Sequence, residues 1–477
     1  MNFLPIGPVL RRSGVFFIRR TFKDNPVYKF VLSHYVDYLI EKRFPLEWYI
    51  EGGRSRSGKL LPPRFGMLAY VVDAYRRGCS EDVYLLPVSI AYDQIQDVGS
   101  YVTEQRGGAK EREGLRWFLR MIRMLRRRYG GIYIRFGEPV SLRQTMGPPD
   151  PDAEANADER SIELRKLAFE VSVRINRVTP ITPTSLVTMA LLGAGDRALT
   201  LEETVEAVDP FAAYVAARCL PSTETIGIGD ASGVRRALDA LIENGVVASF
   251  AEGPQPVYAI KAEQHLAAAF YRNSIIHFFV NGAIAELALL RASAAEVNDP
   301  EAEFWAETLA LRDLLKFEFF FADKEEFHGE IESELERVDP EWAAALASGR
   351  DEVRNLLTRF KPFTAHLILR PFLEAYRVVS DALAAEAEAE VDEQGFLAQC
   401  LALGRQYQLQ KRICNAESVS KVFFATALRL ARNRGLSEPD EDLAERRCGF
   451  AAEIRETIVR IDAIEALAAG RRAGLIQ

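Results

Sequence analysis

Between Glu51 and Lys59 the sequence reads Glu-Gly-Gly-Arg-Ser-Arg-Ser-Gly-Lys, so cations, hydroxyls and glycines alternate over a short stretch. Arg54, Arg56 and Lys59 bring positive charge, Ser55 brings a hydroxyl, and Gly52 and Gly53 let the backbone turn tightly so that N–H groups can converge. Guanidinium forks pair bidentately with phosphate oxygens, and such charge-assisted bonds are about twice as strong as neutral ones. The stretch suits capture of a small phosphorylated ligand; a basic surface turn would have the same composition. It is not a Walker loop, because the Gly58-Lys59 pair is followed by Leu60 rather than serine or threonine. A second candidate is Gly14-Val15-Phe16-Phe17-Ile18-Arg19-Arg20, an apolar run ending in two arginines. It either delivers a guanidinium to the rim of a sheet or is an ordinary strand edge.

Acid–base candidates are few. The histidines are His34, His265, His277, His328 and His366, and none has an aspartate five positions on. His34 and Asp37 are three apart within a predicted helix and read as structural, while His277 lies in an apolar stretch and reads as a satisfied core histidine. The cysteines, Cys79, Cys219, Cys400, Cys414 and Cys448, show no metal-ligand spacing, and their odd number argues against a disulfide framework. A reducing, cytosol-facing compartment with neither metal nor redox cofactor is expected.

The elements that must hold these residues alternate in period. Strands are predicted at Val15 to Ile18, Leu46 to Ile50, Val83 to Tyr92 and Ile132 to Phe136. Helices are predicted at Pro26 to Arg43, Phe65 to Arg77 and Glu111 to Tyr129, two of them closed by Gly78 and Gly130-Gly131. This order implies an α/β sheet with helices packed on it, and places the cationic turn at a strand's carboxyl end, where open α/β sheets bind ligands. Residues 144–160, rich in proline and acidic side chains, read as an exposed linker. Residues 161–477 read as mainly helical, interrupted at 233–260 by a helix and hairpin of winged-helix outline. Charge divides along the same line: residues 1–143 carry a net +11 and the rest a net −19, within a total of −8. The basic part should meet anions.

These blocks together resemble the glycerol-3-phosphate/dihydroxyacetone-phosphate O-acyltransferases, most of all the bacterial membrane-bound glycerol-3-phosphate 1-acyltransferases. The family's second block is matched by Gly14 to Arg20. Its third, Phe/Tyr-x-Glu-Gly-x-Arg-Ser-Arg, is matched by Tyr49 to Arg56, and its fourth by Leu85-Leu86-Pro87-Val88-Ser89-Ile90. Similarity continues at Ile181 to Leu186 and at Tyr271-Arg272-Asn273-Ser274-Ile275-Ile276-His277. The resemblance implies an α/β acyltransferase domain, a mixed sheet flanked by helices, followed by a mainly α-helical C-terminal region. It further implies that Arg20, Glu51, Gly52, Arg54, Ser55 and Arg56 shape a glycerol 3-phosphate site, to which the loop's own composition adds Lys59. Pro87 would stand on the acyl-donor side. The donor would be an acyl-CoA or acyl-carrier-protein thioester, and the product lysophosphatidate.

The family's first block, a histidine, four intervening residues and then an aspartate, supplies the general base. No such pair precedes Gly14 here. The expectation is that the block is encoded upstream of Met1, so that the domain as given lacks its N-terminal part. The alternative is a truncated, catalytically inactive form that binds glycerol phosphate or acts as a lipid-surface scaffold. No apolar run reaches the roughly 18–20 residues of a spanning helix, and Met1 to Arg12 is no signal peptide. A peripheral place on the cytoplasmic membrane face is expected, because Arg112, Arg116, Arg120, Arg123 and Arg127 would form one stripe of the Glu111 to Tyr129 helix. Nucleic acid is not an expected partner: only Arg235 and Arg236 are basic on the winged-helix-like helix, and phosphate contacts dominate such binding.

Overall fold

A computed structural model describes residues 11–19, 24–53, 55–95, 130–150, 157–223, 229–385, 392–438 and 440–475. The chain forms two compact units, neither continuous in sequence. The first gathers residues 1–52, 63–86 and 139–171, and the second residues 53–62, 87–138 and 172–477. The sequence pattern divides the chain at 143 and 160, whereas the compact units are gathered from interleaved segments.

In the first unit, α1 (Pro26–Glu41) starts at Asn25, whose side chain accepts from the Tyr28 N–H, and carries proline in its first turn. Its buried residues Leu32, Val36, Leu39 and Ile40 recur at helical spacing, and α1 packs on α2 (Gly66–Arg76). Gly78, at φ +80°, ends α2 as the sequence predicts, with the Cys79 N–H bonding back to the Ala74 carbonyl. β1 (Tyr84–Leu85) is the next element of this unit in the chain.

The second unit begins its sheet structure with β2 (Val88–Tyr92), which pairs antiparallel with β3 (Ile132–Phe136) from Val88↔Phe136 to Tyr92↔Ile132. β4 (Val140–Ser141) returns to the first unit and pairs antiparallel with β1. Three expectations therefore change. The single predicted strand Val83 to Tyr92 is divided at Pro87, which has no N–H to give a ladder. Val15 to Ile18 and Leu46 to Ile50 are not strands; Phe16 instead packs edge-on against Tyr35, and the Arg19 N–H donates to the Tyr28 hydroxyl at 3.1 Å. Among the described residues the strands outside the winged-helix-like region form two separate two-stranded sheets, not one mixed sheet.

Residues expected as linker include the end of the short helix α3 (Leu142–Met146) and the start of α4 (Ala157–Val178). In the second unit α5 (Pro183–Gly193), β5 (Leu199–Thr200), α6 (Leu201–Ala217), α7 (Ala231–Glu243), β6 (Ala248–Phe250) and β7 (Val257–Ala259) follow in order. The strands form one sheet in the order β5-β7-β6, so helix, strand, two helices and a hairpin give a winged-helix arrangement. Thr182 and Thr200 each begin a helix with a capping box.

Next come α8 (His265–Asn273) and α9 (Val280–Ala292). α9 is buried nearly all round, from Val280 through Ala283, Ile284, Leu287 and Leu289 to Ala292, which marks a core helix. Glu286 lies in the middle of it, its carboxylate accepting from Thr364 N–H and hydroxyl and from Ala365 N–H at 2.7–2.9 Å. Further helices, including 370–385, 421–433 and 443–472, complete a mostly helical structure. No helix among the described residues is long and apolar enough to cross a membrane.

Candidate functional site

The cationic segment changes unit at Gly52/Gly53 and returns at Pro62/Pro63. On the first-unit side, the Arg64 N–H donates to the Ile50 carbonyl at 2.7 Å. Gly52 has φ +64°, and a Cβ there would lie 2.7 Å from Arg64 Cγ. Glycine is required at this point for both reasons. Glu51 is partly buried.

On the second-unit side the segment is a tight turn. The Gly58 N–H donates to Ser55 Oγ at 3.1 Å, so the hydroxyl that was expected to face a ligand closes the turn. Gly58 has φ +87°, and a Cβ would come within 1.9 Å of the Phe270 carbonyl oxygen. No side chain fits there. Arg56 is partly buried. Arg20 and Arg54 lie outside the described residues, as does the Glu111 to Tyr129 stretch.

Lys59 departs from expectation. Its ammonium pairs with Glu318, a residue distant in sequence, and sits 4.2 Å from the Phe372 ring centroid and 4.6 Å from that of Phe319. The Tyr376 hydroxyl approaches the other Glu318 oxygen at 3.5 Å. Burial pulls the Lys59 ammonium below its ordinary value and pushes the Glu318 carboxyl above its own, each opposed by attraction to the other. This lysine anchors the turn in the core instead of offering its charge to a ligand. Nothing local in the sequence points from Lys59 to Glu318, because the two meet only through the fold.

A second anchor was also missed. Asn273, at the end of α8, donates from Nδ2 to the Ser57 carbonyl at 2.8 Å. Arg272 beside it pairs with Glu417 through two bonds of 2.9 and 2.7 Å. The family-like block at Tyr271 to His277 was the available signal. Within it, Tyr271 accepts from the Ile95 N–H at 3.0 Å, and burial raises its phenol to about 12.

Pro87 supplies its carbonyl to the Gly137 N–H at 2.8 Å, so it sets the bend that begins the β2–β3 pair. His34 is exposed, with Nδ1 3.0 Å from the Phe30 carbonyl of its own helix, while Asp37 pairs with Arg77. These two do not form an acid–base pair. His277 Nε2 lies 2.9 Å from the Asn176 carbonyl, and burial lowers the imidazole to about 4, so it is a satisfied neutral histidine. His277 also lines a cavity of about 450 Å³ in the second unit, together with Asn281, Phe320, Glu330 and Arg337. Polar groups there pair among themselves, as Asn281 does with Glu330 at 2.9 Å. No group of three or more potential metal ligands occurs among the described residues.

A family model described as the glycerol-3-phosphate acyltransferase C-terminal region matches residues 101–440. The chain belongs to that family. A second model, described as acyltransferase, matches residues 1–91, the part that contains the cationic segment. The chain is similar to the putative acyltransferase plsB1 of Mycobacterium bovis and to the proteins of that name in two strains of Mycobacterium tuberculosis. Identity to each is 42% over 472 residues, covering 98% of this chain and 75% of the relative. The cationic segment thus lies within the acyltransferase match, and the α8 anchors that hold it lie within the C-terminal-region match.

Proposed function

We propose that the segment from Glu51 to Arg56, with Arg20, receives the phosphate of glycerol 3-phosphate during 1-O-acyl transfer from an acyl-CoA or acyl-carrier-protein thioester. Lysophosphatidate would be the product, and no metal or redox cofactor would take part. The observation that carries this reading is the turn at Ser55 to Gly58: closed by the Ser55–Gly58 bond, it sets Arg56 on an ordered backbone rather than on a loose tail. Ordering the donors before the ligand arrives lowers the cost of binding. Glu51 would orient the flanking cations, Gly52 would permit close approach, and Pro87 would serve the acyl-donor side.

Calorimetric titration of glycerol 3-phosphate into the chain tests the assignment. Arg54→Ala and Arg56→Ala should each weaken binding at least tenfold, an effect of about 1.4 kcal/mol or more. Wild-type affinity in both variants would remove the segment from the site.

One observation favours a second reading. No histidine of the sequence has an aspartate five positions on, and the second reading is a form that holds glycerol 3-phosphate without acylating it. Product formation from labelled glycerol 3-phosphate and a long-chain acyl-CoA separates the two. Binding without product supports the second reading, and turnover overturns it. We place the protein peripherally on the cytoplasmic membrane face, through the arginines between Arg112 and Arg127. Binding to anionic vesicles that weakens with salt is the expected result, and equal binding to neutral vesicles would remove that placement.

A further inference from the structure

The block Tyr271 to His277 resembles the family, yet nothing in acyl transfer itself requires a buried arginine and asparagine there. Arg272, Asn273 and Glu417 are 3, 3 and 5% exposed. Asn273 Oδ1 accepts from Arg272 Nε at 3.1 Å and Nη2 at 2.7 Å, so the amide cannot flip without losing both bonds. The amide nitrogen is therefore the end that faces the Ser57 carbonyl. Arg272 is fixed in turn by its fork-to-fork pairing with Glu417. The turn bearing Glu417 is itself tied down by Glu374, which accepts from Cys414 N–H, Asn415 N–H and the Ser418 hydroxyl. Each link in this series fixes the orientation of the next, and the series ends on a backbone carbonyl inside the cationic turn.

An apolar cluster of the same volume would pack as stably as a buried ion pair, and often more so. Orientation is what the ionic arrangement adds. The Ser57 carbonyl, once held, fixes the peptide that joins Ser57 to Gly58. The Gly58 N–H, on that same peptide, then points at Ser55 Oγ. Asn273 thus acts on the two residues next to Arg56 without approaching the ligand.

We propose that Asn273, oriented by Arg272 and Glu417, is a positioning residue for the anion-binding turn, and that it sets affinity for the phosphorylated acceptor and not for the acyl donor. This rests on the reading of Glu51 to Arg56 as the acceptor site. Asn273→Asp is the informative substitution: the carboxylate still accepts from Arg272 but has no N–H for Ser57. Asn273→Ala removes both contacts.

The experiment compares the full-length chain and both variants by calorimetry with glycerol 3-phosphate and with an acyl-CoA, and by hydrogen exchange over residues 53–62. Both variants should bind glycerol 3-phosphate about tenfold more weakly, exchange faster at residues 55–59, and keep wild-type affinity for acyl-CoA. The melting temperature of Asn273→Asp guards against global unfolding. Wild-type affinity in Asn273→Asp, unchanged exchange, or equal losses for both ligands would each overturn the proposal. A wild-type chain that ignores glycerol 3-phosphate would sink the acceptor-site reading instead. Exchange would then decide the clamp alone: acceleration in Asn273→Asp upholds it, and no change overturns it.

Discussion

Paired charges in the first unit stand near water. The side chains of Arg77 and Asp37 are 44 and 19% exposed. In the second unit those of Arg272 and Glu417 are 4 and 7% exposed, and those of Lys59 and Glu318 are 10 and 4%. A solvated pair contributes little because water competes for both ions, whereas a buried pair is tolerable only when each charge keeps its partner. These two buried pairs also reach the cationic turn, directly through Lys59 and by way of Asn273 from Arg272. These two pairs fix the backbone of the turn, and the same unit also buries charge at Arg218–Glu334 and at Glu286.

Breaking a buried pair should have the largest effect. Glu417→Gln leaves Arg272 inside without its counter-ion and should cost about 3–5 kcal/mol in denaturant unfolding. A double replacement of both residues by apolar ones should recover much of that loss, and failure to recover would mean that the pair does more than offset its own burial. Gly58→Ala comes next, at about 2–4 kcal/mol, since the added Cβ meets the Phe270 carbonyl on a left-handed backbone. Gly53→Ala, with nothing within 4 Å of the new Cβ, should cost less than about 1 kcal/mol.

Acid sharpens the comparison within the second unit. His277 is lowered to about 4 by burial, so the unfolded chain takes up its proton first. Its contribution is complete above pH 6.5 and is lost as pH falls toward 4, at up to about 1.4 kcal/mol per pH unit. Glu286, raised to about 7 by burial, works the other way: its contribution is complete below pH 4.5 and is lost as pH rises toward 7. The opposing slopes overlap between pH 4.5 and 6.5. His277→Gln should therefore make the unit relatively more stable in acid, and Glu286→Gln relatively less, by thermal melts at pH 5 and 7. Parallel profiles for wild type and both variants would refute the assignment. The smallest effect belongs to the first unit, where Asp37→Asn should change stability by less than about 1 kcal/mol.

Helices were legible where a start signal, a period and a stop coincided. The recurrence of Val27, Phe30, Val31, Tyr35, Tyr38 and Leu39 after Pro26 marked α1 as a helix but not its buried face, since of these only Leu39 is buried and Leu32, Val36 and Ile40 join it. Gly78 gave the end of α2. Strands were less so, because a strand exists only with a partner. Val15 to Ile18 has strand composition, yet Phe16 finds Tyr35 of a helix instead. The cationic turn was legible from residue types alone, but the direction of each side chain was not. Ser55 and Lys59 face inward because of Gly58 and Glu318, and only the first of these lies nearby in sequence. Asn273 belongs to a family-like block and carries no geometric signal until the fold brings it to Ser57.

Lys59 waits for Glu318, and Ser57 for Asn273 and, behind it, Glu417. During synthesis at about 5–20 residues per second, some tens of seconds separate the emergence of the turn from that of its last support. The nascent chain therefore carries an unbraced, positively charged bend for most of its production, and the turn's fixed shape is among the last features it acquires.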